Sequence, residues 1–255
     1  MSRFVKQVLW RAWFPLALVV IWQLVLRQST NPFFPPPSKI LSSTRDVINV
    51  DWIKTSFASS MLTLSSGYLI GCALGISLGA MLGISEKLQL IFLPIINFIR
   101  SIPSVAKVPV VMALMGIGTA TRISAISIAV LFPVLLSTLR AVAATESTYL
   151  DAARIMGYGR IRELILVRLP AATGEILAGL HAAVQVAILV MVVSEMLGSG
   201  IGIGAFIIHS QATFMIADMW VGILILGVLG ITLNVLFQMT ESRIAPWYFD
   251  SKIQS

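Results

Sequence analysis

Six long apolar segments, separated by short polar ones, dominate the pattern of the chain. They cover about residues 8–26, 57–84, 88–117, 123–143, 171–197 and 218–239. A helix needs about 20 apolar residues to cross the hydrocarbon core of a bilayer, whereas a strand of a membrane barrel alternates over about ten. The pattern predicts an all-α, multi-pass membrane protein in which residues 1–255 form a single transmembrane domain of about six helices.

The composition supports this class. Of the 255 residues, 57% are hydrophobic and 11% are charged, whereas a soluble domain carries about 25% charged residues. The net charge of +7 is then explained by basic residues on cytoplasmic loops rather than by a nucleic-acid surface. The first apolar segment ends at Leu26 and Arg27 without a small-residue cleavage site, so we predict an uncleaved span.

The basic residues also predict the orientation. Six spans place both termini and the polar stretch of residues 144–170 on one face. That face carries three basic residues near the start and four arginines in the polar stretch, so the positive-inside rule makes it cytoplasmic. The loop after the first span opposes this orientation with three basic residues, which two acidic residues partly balance.

A glycine recurs every four residues through the second segment. Such a stripe removes the side chains from one helix face, so that the backbone of another helix can approach closely. The repeat therefore predicts a helix whose role is packing. The glycines are Gly67, Gly71, Gly75, Gly79 and Gly83.

The third segment is predicted to be a broken span. Pro94, Pro103 and Pro109 each remove a backbone donor, and Arg100 and Lys107 lie between them. A cation inside the membrane beside broken helix normally faces a water-filled path or the protein interior. The alternative is a longer cytosolic approach, with Arg100 reaching an interface.

The polar stretch of residues 144–170 begins with the pattern of a short helix. Thr148 is a candidate N-cap, with Asp151 three residues later in a near capping box. The apolar side chains would form one stripe along this helix. They are Tyr149, Ala152, Ala153 and Met156.

Glycines shape the second half of the same stretch. Gly157 is placed to end the short helix in the left-handed conformation, and Gly159 allows a second bend. Pro170 suits the first turn of the fifth span. A short helix fixed between two spans in this way is suited to be a lever for a cytoplasmic partner, the alternative being a solvated connector.

No catalytic or nucleotide-binding set is recognisable in the sequence. A Walker A motif is absent, and the two histidines lack metal-ligand spacing. We therefore expect no enzyme activity and no metal or cofactor bound by this chain. The pair Glu175 and His181 leaves a membrane-embedded enzyme open as an alternative, and a secondary transporter would require paired acids and inverted repeats, which are not evident.

The polar stretch resembles the cytoplasmic loop of permease subunits of bacterial ABC importers. That loop has the pattern EAA, three residues, G, nine residues, then I-x-LP. The spacing here is the same, with Asp in place of Glu and Val in place of Ile. The matching residues are Asp151, Ala152, Ala153, Gly157, Val167, Leu169 and Pro170.

Other motifs resemble the subgroup of permeases for nitrate, sulfonate, taurine and bicarbonate. They lie at residues 34–38, 100–118, 195–198 and 200–202. The resemblance implies a type I ABC importer permease in the bacterial inner membrane, surrounded by lipid and paired with a second permease copy or with a close relative. It further implies an extracytoplasmic substrate-binding protein and cytoplasmic ATPase subunits, which bind the ATP and Mg. Nucleic acid is not an expected partner.

The resemblance also assigns candidate sites. The coupling helix of the family sits in a groove of the ATPase, which points to Thr148, Tyr149, Asp151, Ala152, Ala153, Met156, Gly157, Gly159, Leu169 and Pro170. A desolvated cation favours an anionic substrate, so the expected pathway residues are Arg100 and Lys107, with Ser101, Ser104, Gln185 and Glu195 as weaker candidates. Glu195 with residues 198–204 is expected either to shape the outer gate or to be an interfacial helix end. The alternative function is a permease for a different small organic substrate.

Overall fold

The computed structural model describes residues 3–27, 31, 33–198 and 200–245, with side chains from Trp13 onward. Every regular element in these ranges is helical. The helices are α1 Arg3–Leu26, α2 Pro37–Val47, α3 Val50–Gly83, α4 Glu86–Ser101, α5 Val108–Met115, α6 Thr119–Ala143, α7 Ser147–Ile155, α8 Arg160–Gly198, α9 Ile203–Ala212 and α10 Ile216–Ile244. Two of them, α3 and α8, each contain one wide π-helical turn, at Ile53–Phe57 and Leu164–Arg168.

Four of the described helices, α3, α6, α8 and α10, are long and apolar enough to cross a membrane. The prolines of the third segment coincide with a sharp bend, because α4 and the segment Ser104–Met115 meet at 91°. This bent pair makes a fifth crossing if it is counted as one broken span. The first predicted span falls in α1, whose apolar part with described side chains is Trp13–Leu26.

The glycine stripe of α3 lies directly against α6. Both helices run in the same direction, since Gly67 faces Ile126 and Gly83 faces Val142. A Cβ atom added at any of the five glycines would lie between 2.6 and 2.8 Å from an atom of α6. The two helices therefore approach as closely as backbones allow, which is the use of small residues in membrane helix pairs.

The third core helix, α8, runs antiparallel to both. Gly179 of α8 packs on Ser137 of α6, and the Tyr68 hydroxyl of α3 donates a hydrogen bond to the Leu180 carbonyl at 2.9 Å. Buried side chains such as Val130 and Met191 fill the space between the three helices. This α3–α6–α8 core sets the positions of the shorter helices at its two ends.

The ends of the core carry different elements. At one end, α2, α9 and the first turns of α3 and α10 share an apolar cluster that includes Ile40, Trp52, Ile203 and Val221. At the other end, α6 and α8 are joined by α7. The candidate docking helix and the α2–α9 cluster therefore lie at opposite ends of the molecule.

The close α3–α6 contact predicts that Gly75→Leu destabilises the protein. Its Cβ would lie 2.8 Å from the Cβ of Val134, and overpacking of this kind costs about 1–3 kcal/mol. Gly227→Leu on α10 is the matched control, because a Cβ there meets nothing within 4 Å. Thermal unfolding of the detergent-purified protein should show a lower Tm for Gly75→Leu alone, and equal Tm values for both variants would contradict the packing.

Candidate functional site

Helix α7, the predicted docking helix, begins two residues earlier than its sequence indicates. Its N-cap is Glu146, without a side-chain capping bond, and the helix starts at Ser147. The Glu146 carbonyl accepts the first helical hydrogen bond, from the Leu150 N–H at 3.4 Å. Thr148 therefore lies inside the first turn, so its predicted role as a cap was wrong.

A Schellman motif ends α7 at Gly157. This glycine has φ +74°, its N–H donates to the Arg154 carbonyl, and the Tyr158 N–H donates to the Ala153 carbonyl at 3.0 Å. These two bonds satisfy carbonyls that the helix end leaves free. Gly159 has an ordinary extended backbone, with φ −74°, and precedes the next helix.

The predicted apolar stripe of α7 divides between two faces. Ala153 is only 2% exposed and faces the protein, while Tyr149 and Met156 are 55% and 68% exposed. Ala152 is exposed as well. Ile155, which the predicted set left out, is 88% exposed, so the exposed apolar surface of α7 is centred on the last turn of the helix.

Residues 144–170 are not a loop along their whole length. Helix α8 already begins at Arg160, and Pro170 lies in its interior rather than in its first turn. The π-helical turn Leu164–Arg168 directly precedes this proline. The wider turn relieves the clash between the proline ring and the carbonyl four residues earlier, so the helix continues past Pro170.

Arg168 fastens this region to the core. Its guanidinium forms an ion pair with Glu163 at 2.7 Å and donates a hydrogen bond to the Val142 carbonyl, at the end of α6, at 3.2 Å. Both charged side chains are 12% exposed. The start of α8, which follows α7, is thereby tied to the end of α6.

A charged cavity of about 390 Å³ lies on the side of the core nearest to α7. It reaches from Pro133, near the middle of α6, to Arg140, in the last turn of that helix. Arg100 at the end of α4 and Glu175 on α8 border the same space. The remaining lining residues are Leu136, Ser137, Ala178, Gly179 and Ala182.

A second cavity of about 490 Å³ adjoins the first. Arg140 lines both, and the second cavity adds the polar side chains of Gln89 and Asn97. It extends to Ala144, just before α7. Arg140 was missing from the predicted pathway set, although its spacing of seven residues from Pro133 places the two on one face of α6.

The other predicted pathway residues lie near this region without meeting at one point. The Ser101 hydroxyl donates to the Phe98 carbonyl at 2.6 Å, and Ser104 begins the turn that leads to α5. The Lys107 ammonium lies 4.7 Å from the ring centre of Phe132 on α6. Gln185 is exposed and follows the cavity residue Ala178 by seven positions, on the same face of α8.

Glu195, which was predicted as one of the weaker pathway candidates, is buried inside the subunit. It is 1% exposed, and its carboxylate accepts hydrogen bonds from the Ser60 hydroxyl at 2.7 Å and the Gly204 N–H at 2.9 Å. Arg122, absent from the predicted set, lies 3.7 Å away and donates to the Ile201 carbonyl. The cluster holds the start of α9 against α3, α6 and α8.

Comparison with known proteins identifies the fold and the family. The profile of the family described as binding-protein-dependent transport system inner membrane component matches residues 71–247. One chain of the methionine ABC transporter MetNI, solved in inward-facing conformations, superimposes with a TM-score of 0.61 at 19% identity, covering 76% of this chain and 94% of that one. At this identity, the match shows the fold alone.

Three relatives illustrate the range of similar sequences. The nitrate import permease protein NrtB of Leptolyngbya laminosa is 30% identical, over 90% of this chain and 85% of its own. The taurine transport system permease protein TauC of Escherichia coli is 28% identical, over 91% and 86%. The bicarbonate transport system permease protein CmpB of Synechococcus elongatus is 26% identical, over 86% and 83%. The chain therefore belongs to the family of binding-protein-dependent transport system inner membrane components and is a permease subunit of the ABC importer class.

Proposed function

We propose that this permease subunit, together with a second copy of itself, forms the pathway by which an ATP-driven importer takes up a small anionic solute. The observation that carries the proposal is the charged cavity between α4, α6 and α8. Arg100 and Arg140 both border it, and neither forms an ion pair with an acidic side chain of the described residues. Two free guanidinium groups favour an anion, since they offer planar, charge-assisted hydrogen bonds.

The relatives support the same class of solute. Their names refer to nitrate, taurine and bicarbonate, each of which carries an anionic group. Transfer of this substrate class to the present chain rests on the two arginines and on the shared family.

A second copy of the chain accounts for the exposed polar groups. Arg100, Glu175 and Gln185 are exposed on one side of the isolated subunit, along helices that are apolar enough to span the membrane. Charged groups in hydrocarbon are costly, and within membrane proteins they face protein or water-filled cavities. Pairing these faces across a twofold axis would enclose the cavity and line a path with polar side chains.

Helix α7 is the proposed contact with the ATPase. Its exposed apolar end, Tyr149, Ile155 and Met156, is the kind of surface that fits a hydrophobic groove. ATP and Mg would be bound and hydrolysed by the ATPase subunits, and movement of α7 would pass to α6 and α8 through Arg168. The substrate would cross the membrane without any bond being broken.

The proposed binding protein and membrane orientation follow from the position of α7 at one end of the molecule and of α2 and α9 at the other. The family name refers to a binding protein, and such a protein would deliver the solute at the end of the molecule that holds α2 and α9. The α7 end, with its four arginines between residues 154 and 168, would face the cytoplasm of a bacterium, together with both termini.

The pathway role predicts that Arg100→Gln lowers uptake while the complex still assembles. Loss of one charge-assisted contact should reduce the rate of substrate uptake into proteoliposomes by about ten-fold or more. Lys87→Gln is the matched control, because it removes an exposed cation from the first turn of the same helix. Wild-type uptake kinetics for Arg100→Gln would remove this arginine from the pathway.

The docking role predicts that Met156→Asp weakens association with the ATPase by about ten-fold or more, because it places a charge in the apolar contact. The measurement is the amount of ATPase that co-purifies with the tagged permease. Phe214→Asp serves as the control, since Phe214 is 76% exposed at the turn between α9 and α10. Ala153→Asp would test folding instead, because Ala153 is buried. Full retention of the ATPase by Met156→Asp would contradict docking through this turn.

A further inference from the structure

The charged cavity contains a carboxylate as well as two arginines. Glu175 of α8 borders the same space of about 390 Å³ as Arg100 and Arg140. For a simple oxyanion this acid is unfavourable, because a like charge beside the substrate repels it. The presence of Glu175 therefore needs a reason that an anion pathway alone does not provide.

The backbone at Glu175 is held in place by α6. The Ser137 hydroxyl donates a hydrogen bond to the Glu175 carbonyl at 2.5 Å. One turn further along α8, Gly179 packs against the side chain of the same serine. These contacts bring α6 and α8 together at the wall of the cavity, so the acid borders it at a defined height, between Pro133 and Arg140.

The Glu175 carboxylate has no ion-pair partner among the described residues. The ion pairs there join other groups, and Arg100 and Arg140 take part in none of them. All three side chains are exposed in the isolated subunit. Two positive groups and one negative group therefore face a common space and are available to a ligand.

We infer that the cavity takes a small zwitterion, a sulfonate or carboxylate that carries its own ammonium group. This inference rests on the proposed function and narrows its solute, from any small molecule with an anionic group to one whose anionic group is joined to an ammonium group. The arginines would hold the acidic group through paired hydrogen bonds, and Glu175 would accept hydrogen bonds from the ammonium group. The cavity volume falls within the range of about 300–1,000 Å³ that is typical of small-molecule sites.

The same arrangement gives a basis for selectivity. An anion without an ammonium group gains the arginine contacts but leaves Glu175 unpaired and repelling it. A zwitterion pairs with the arginines through its acidic group and with Glu175 through its ammonium group. Specificity then arises from an attractive and a repulsive element in one cavity, a common way for sites to separate similar ligands.

The test compares zwitterions with matched anions in the complete importer, with ATPase and binding protein, reconstituted in proteoliposomes. Taurine is paired with ethanesulfonate, and β-alanine with propionate, because each pair differs only by the amino group. For each solute the uptake of Glu175→Gln is divided by that of the wild type. The contribution of the unchanged binding protein cancels in this ratio.

The wild type should import at least one of the two zwitterions. Glu175→Gln should then lower the uptake of that zwitterion by about ten-fold or more, whereas uptake of its matched anion should stay within about two-fold or increase. Glu175→Asp should restore part of the zwitterion uptake, which a purely structural role would not predict. Glu86→Gln, which neutralises an exposed acid in the first turn of α4, should behave like the wild type.

Three results would overturn the inference. The first is a wild type that imports neither zwitterion. The second is an equal loss of all solutes in Glu175→Gln, which would indicate that the acid pairs with another protein group, for example across the subunit interface. The third is no effect of Glu175→Gln on zwitterion uptake. Arg100→Gln separates these from failure of the proposed function, because an arginine in the pathway lowers the uptake of zwitterions and anions alike.

Discussion

The close contact between α3 and α6 is the constraint on which the remaining structure depends. In a bilayer the hydrophobic effect does not drive helices together, so association relies on dense packing and on hydrogen bonds. Five glycines of α3 allow that density along nearly the whole length of α6. One face of α6 packs against α3. Its other faces are thereby held in fixed positions, where they contact the start of α9, line the charged cavity and bind Arg168.

The start, the middle and the end of α6 then have different roles. Near its start, Arg122 belongs to the buried cluster that holds the beginning of α9. From Pro133 to Arg140 it lines the charged cavity. At its end, the Val142 carbonyl accepts a hydrogen bond from Arg168, which fastens the return from α7. A displacement of α7 would therefore be passed to the helix that lines the cavity.

The sequence predicted those features that depend on the spacing of residues close together in the chain. The four-residue glycine repeat indicated a packing face, and Gly157 indicated a helix end in the left-handed conformation, which its φ of +74° shows. Features that depend on a distant neighbour could not be read in this way. Arg122 and Glu195, which pair in the structure, lie 73 positions apart in the sequence. The start of α8 at Arg160, ten residues before Pro170, was also not predicted.

The charged side chains of the core fall into two groups, those with an ion-pair partner among the described residues and those without one. Glu195 is paired with Arg122, and Glu241 lies 3.3 Å from His181, so both contacts join two helices. Glu163 is paired with Arg168 within α8, and Arg168 also bonds to the Val142 carbonyl of α6. All three pairs serve the fold. A charge at membrane depth that has no partner within its own chain needs one from outside, because leaving it unpaired is costly. Arg100, Arg140 and Glu175 have no ion-pair partner among the described residues. The same physical rule that explains the buried pairs therefore supports the proposal that a ligand or a second subunit supplies their partner.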